Sequence, residues 1–130
     1  MRQEFIQSYQ ELTVYQIAYE EAMQLYWLLP QISVEEGDRL GQKLVEASRL
    51  VCANLAEAWG QRRCYEAFVA KLNEAETKAT VVQTWLAFAV ECGYLRADEG
   101  MAHSDRYGSI FAGIGELIEN AEAWVMGVAG

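Results

Sequence analysis

Proline occurs once in these 130 residues, at position 30, and no serine- or glycine-rich run interrupts the chain. Residues 1–130 therefore read as a single domain without a linker, of the commonest size for one compact unit. Basic side chains are in deficit, 10 against 19 acids, for a formal charge of −9. Proteins that hold nucleic acid over a broad surface usually carry a basic excess that displaces condensed counterions. The deficit argues against indiscriminate polyanion binding and leaves room only for a local basic patch. Cys52, Cys64 and Cys92 form no CxxC pair, so reduced, mostly buried thiols are expected, with no metal centre or disulfide framework. No apolar run approaches the roughly 20 residues that cross a bilayer. The N-terminal MRQEFIQSYQEL carries acids and no apolar core, so no signal peptide is expected and the cytoplasm is the expected location.

The alternating β-branched pattern of strands is missing too, and what remains is helical periodicity. Phe5, Tyr9, Leu12, Tyr15, Ala18, Ala22, Leu25 and Leu29 recur at steps of three and four. They predict a first helix from about Arg2 or Glu4 to Leu29, ended by Pro30. Ser33 and Glu36 in SVEE form a capping-box pattern that opens a second helix, stopped near Gly60. A third runs from near Cys64 to Gly93 on Phe68, Leu72, Ala75, Ala79, Val82, Leu86 and Ala89. The fourth spans about Ala97 to Val125. Gly100, Gly108, Gly113 and Gly115 lie inside it, and its first half is expected to fray, since each glycine costs about 0.5–1 kcal/mol. Four long helices on short turns predict an all-α, antiparallel up-down-up-down four-helix bundle.

Catalytic constellations are wanting. His103 is the one histidine, read as a solvated side chain or, with Glu99 one turn away, as half a metal site. Neighbouring acids such as Glu20–Glu21 point in different directions on a helix and read as solvated faces. No cofactor, metal or enzymatic activity is expected. Asn54 shares a stripe with Ala47, Val51 and Ala58, and Glu57 lies three residues on. The two read as an architectural polar network, with a ligand contact as the alternative.

Charge is unevenly spread. Residues 39–78 net +2, while residues 1–38 net −6 and residues 79–130 net −5. Arg39, Lys43, Arg62, Arg63 and Lys71 make a candidate anion- or nucleic-acid-binding strip on the second and third helices. Aromatics exceed what one bundle interior holds, so Trp27, Trp59, Phe88, Phe111 and Trp124 are candidate subunit-interface residues.

LTVYQIA at 12–18, NLAEAWGQRR at 54–63, FVAKLNEA at 68–75 and ECGYL at 91–95 occur in order. Together they resemble the four-helix-bundle proteins encoded in intervening sequences of bacterial large-subunit ribosomal RNA. They are also similar to the Avd accessory proteins of diversity-generating retroelements. The usual family form, close to N-I-A-E-G-x-G-R-R, resembles this stretch at Asn54, Ala56, Glu57, Gly60, Arg62 and Arg63, with Leu55 for isoleucine, Ala58 for glycine and Gln61 as one extra residue before the arginines. The resemblance implies a ring-like homo-oligomer, commonly a pentamer. Its Avd branch implies a reverse transcriptase and nucleic acid as partners. The expected function is a non-enzymatic accessory or adaptor protein on a protein or ribonucleoprotein partner; the alternative is an RNA- or DNA-binding protein using the basic strip.

Overall fold

The computed structural model describes residues 6–32 and 39–125. Among them are α1 (Thr13–Ile32), α2 (Leu40–Gly60), α3 (Tyr65–Glu91), α4 (Ala97–Glu119) and the short α5 (Ala121–Trp124), with no strand. The helices pack in the cyclic order α1, α2, α3, α4, so that α1 and α3 stand on one diagonal. Paired levels show the antiparallel runs: Lys43 against Trp85 and Glu57 against Lys71 between α2 and α3. Between α4 and α1, Glu21 meets His103, while Gly113 abuts Val14. The chain is the expected four-helix bundle.

The core is aliphatic, built from Ala18, Leu25, Leu44, Val51, Phe68, Leu72, Val82, Leu86, Ile110 and Ile114, each at most 2% exposed. All seven residues of the expected α3 stripe are buried. Gly93, with φ of 82°, closes α3 in the left-handed region that glycine enters at no steric cost.

Boundaries differ where local chemistry competes with the apolar period. Ser8 Oγ accepts from Gln10 N and caps a 3-10 turn over Tyr9–Glu11, after which Leu12 is extended and buried. Among the described residues the first α-helix therefore begins at Thr13, later than expected. Pro30 lies inside α1 rather than ending it. A proline disrupts only the turn before it, and burial of Ile32 holds the chain helical for two residues more. The Ser33–Glu36 capping box, like Phe5, falls outside the described residues.

The fourth helix runs unbroken from Ala97 to Glu119 through all its glycines, then breaks at Asn120 before α5. The expected fraying is absent because two of these glycines admit a neighbour. A Cβ on Gly100 would run into Val90 Cγ2, and one on Gly113 would lie 2.8 Å from both Cβ and Cγ2 of Val14. Close packing offsets the propensity cost. Gly108 faces open space. Gly113→Ala is expected to lower stability by about 1–3 kcal/mol through overpacking, whereas Gly108→Ala should raise it by about 0.5–1 kcal/mol. Urea melts of the two variants check the opposite signs.

Candidate functional site

The five cations of the predicted strip do not form one. Arg39 precedes α2 and Arg62–Arg63 follow it. A 21-residue helix separates its ends by about 30 Å, so Arg39 and Lys43 lie at one end of the bundle and Arg62, Arg63 and Lys71 at the other. Most are also engaged. Lys43 Nζ sits over the Trp85 ring at 5.6 Å. Lys71 Nζ pairs with Glu57 at 2.9 Å and Glu74 at 3.3 Å, and these bonds, first that to Glu57, push its pKa up.

Arg62 turns back on its own helix. Its Nε donates to the Trp59 carbonyl at 2.9 Å and its guanidinium lies 3.5 Å from the Trp59 ring centre. Trp59 in turn packs on Trp124 at 5.8 Å. Burial in this stack pulls the Arg62 pKa down, leaving a cation half covered by indole. Arg63 is exposed, and it and Arg39 have no side-chain partner among the described residues.

Asn54 is buried, 6% exposed, as its stripe requires. Glu57 points outward to Lys71, and no hydrogen bond joins Asn54 to Glu57 among the described residues.

A second polar cluster lies between α1 and α4, where apolar contacts would be expected. Glu21 is 2% exposed. His103 Nδ1 is 2.8 Å from Glu21 Oε1, and Arg106 Nε is 3.6 Å from Oε2. Arg106 also binds Glu20 at 2.6 Å on the surface side. Tyr107, fully buried beside them, has a hydroxyl with no hydrogen-bond partner among the described residues. Its pKa is pushed well up, first by burial, then by the charge of Glu21, then by Cys52.

This overturns two expectations. Glu20 is solvated, but Glu21 is not; and His103 is neither solvated nor half of a pair with Glu99. The Glu99 carboxylate instead accepts from the Arg96 amide at the start of α4, at 3.4 Å. No group of three or more metal-ligating side chains occurs among the described residues. The thiols differ from expectation as well: Cys64 and Cys92 are exposed. Cys52 is half-buried, and burial pushes its thiol up to about 11.

The outer surface carries the third feature. Of the candidate interface aromatics, Trp27 is 65% and Phe88 53% exposed. Trp59, Phe111 and Trp124 are partly buried and pack onto the core. Sequence reading missed Tyr19 and Tyr26, which are 54% and 44% exposed on α1. Tyr15, Tyr19, Met23 and Trp27 follow one another at i, i+4 and line a shallow groove with Gln16, Glu20 and Gln24. That repeat was the legible signal, one stripe beside the buried one. Among the described residues no helix is long and apolar enough to cross a membrane.

Residues 10–115 match the family model described as 23S rRNA-intervening sequence protein. No curated protein matches the chain. A solved structure from Bacteroides thetaiotaomicron, described as a protein of unknown function from the S23 ribosomal protein family, is similar with a TM-score of 0.74. At 19% identity, covering 82% of this chain and 95% of that one, it supports the fold alone.

Proposed function

We infer that this chain, which belongs to the 23S rRNA-intervening sequence protein family, is a non-enzymatic accessory protein that self-assembles and docks on a protein or ribonucleoprotein partner. The observation that carries the reading is the outward face of α1. Tyr19, Tyr26 and Trp27 are each at least 44% exposed on a single helix. Aromatics concentrated on one exposed face have the composition of an interface centre. A ring, pentameric by the family resemblance, would cover such a face on every subunit, and a reverse transcriptase is one partner of the class that an adaptor of this kind serves.

The nucleic-acid alternative draws its support from Arg63, exposed beside the Arg62 stack. Against it stand the net charge of −9 and the separation of the candidate cations. Native mass spectrometry of the purified chain at two salt concentrations, with and without a structured RNA, tests both readings. The expected result is one homo-oligomer whose mass is unchanged by RNA. A monomer at micromolar concentration would overturn the assembly reading. An RNA complex lost at the higher salt and abolished by Arg63→Glu would transfer the function to nucleic-acid binding.

A further inference from the structure

The turn between α2 and α3 holds two cations that no carboxylate answers. Arg62 donates Nε to the Trp59 carbonyl at 2.9 Å, with its guanidinium 3.5 Å from the Trp59 ring centre. Capping that free carbonyl at the end of α2 uses one donor. The N–H groups on the two Nη atoms have no hydrogen bond or ion pair among the described residues. The ring and the carbonyl fix the direction in which they point. A guanidinium held in this way is a preorganised fork that matches the two oxygens of a carboxylate or phosphate. Arg63 is exposed and equally without a partner among those residues.

The surroundings choose between those anions. Trp124 of α5 packs on Trp59 at 5.8 Å, and both indoles are half-buried, so each keeps an exposed edge beside the fork. Tyr65, 45% exposed, opens α3 two residues after Arg63. Acids stand close by. Glu66 accepts from Cys64 Sγ at 3.7 Å, and Glu122 is exposed on the same short helix as Trp124. They offset Arg62 and Arg63, so a run of phosphates would meet these acids and find no further cations at the turn. A single carboxylate beside an aromatic side chain fits both the fork and the indole edges.

Resting on the reading of this chain as an adaptor on a protein partner, we propose that the corner formed by Trp59, Arg62 and Trp124 is the docking point. The partner supplies a carboxylate with an aromatic side chain next to it. Arg62 takes the carboxylate on its Nη edge, Arg63 adds charge from outside, and the partner's ring packs on the indoles. The fixed guanidinium lowers the ordering cost of binding. The corner also lies clear of the exposed α1 aromatics. Val14, near the start of α1, lies against Gly113, near the end of α4, so α5 and the end of α2 belong to that end of the bundle. Trp27 is about 20 Å farther along α1. One protomer can therefore hold a second copy and a partner at once.

N-acetylphenylalanine is a small probe that carries both groups, and its amide is the control. Titrated into the isotope-labelled full chain at millimolar concentration, the acid should shift the Arg62 Nε–H signal and the indole signals of Trp59 and Trp124 saturably. The amide should not. Arg62→Lys keeps the charge without the fork and should bind about tenfold more weakly. Arg62→Gln keeps a donor for the Trp59 carbonyl and should show no saturable binding. Both should retain the helical circular dichroism of the parent; should Arg62→Gln lose it, the affinity of Arg62→Lys decides alone. Equal shifts from acid and amide, or undiminished binding by either variant, would overturn the proposal. So would inorganic phosphate or a structured RNA that moves the same signals at lower concentration than the acid, which would make the corner a phosphate site. Native mass spectrometry of the same samples separates this proposal from the reading it rests on. A monomer that still takes the acid would sink the assembly alone, and an oligomer that ignores the acid would sink the corner alone.

Discussion

Glu21→Ala is expected to lower the unfolding free energy by about 3 kcal/mol, a large share of the roughly 5–15 kcal/mol that holds a domain of this kind. The carboxylate is 2% exposed and sits between His103 and Arg106. Removing the carboxylate leaves the largely buried His103 Nδ1 without its partner, and a buried polar group left unpaired costs about 1–3 kcal/mol. The upper end of that range applies, because Arg106 loses its contact with Oε2 in the same step. Replacing both partners separates the two terms. Glu21→Leu with His103→Leu removes the stranded histidine and should return to within about 1 kcal/mol of the parent chain. The cost of the single change should also survive added salt, since a dry pair is poorly screened. Urea unfolding at fixed protomer concentration measures all three. A single-variant cost below about 1 kcal/mol would mean that water reaches the carboxylate in solution.

The same cluster marks where the sequence was readable and where it was not. The α3 stripe was legible residue by residue because nothing polar interrupts its period, and Phe68 to Ala89 are all buried as expected. Glu21 escaped because its type was weighed above its position. It sits three residues after Ala18 and four before Leu25, on the inward stripe of α1. His103 likewise precedes Tyr107, Ile110 and Ile114 of the buried α4 stripe by steps of four, three and four. Position alone would have turned both inward, but only tertiary packing shows that they meet. The basic strip failed for a related reason. A charge tally over residues 39–78 cannot register that Lys71 is taken by Glu57, that Arg62 lies on Trp59, or that α2 holds its ends apart. The glycines of α4 counted locally as helix breakers, whereas Val14 and Val90, from two other helices, are what give Gly113 and Gly100 their use.

Tyr107 should respond in opposite directions to two substitutions. Its ring is fully buried, among the largest such side chains in the core, so Tyr107→Ala should cost about 3–5 kcal/mol in lost contacts and residual cavity. The hydroxyl is another matter. It is buried with no hydrogen-bond partner among the described residues, and a buried donor left unpaired costs about 1–3 kcal/mol. Tyr107→Phe removes that group and keeps the ring, so it should raise stability by about 1 kcal/mol at the low end of that range. Thermal or urea melts at neutral pH suffice, because burial and the neighbouring Glu21 charge hold the phenol well above its ordinary range and therefore neutral. A loss in the phenylalanine variant would mean that the hydroxyl is bonded in solution, and Glu21, whose charge already acts on it, would be the first partner to examine. Combining Tyr107→Phe with Glu21→Ala decides between the two cases. Additive effects leave the hydroxyl idle, whereas a coupling above about 0.5 kcal/mol joins it to the carboxylate.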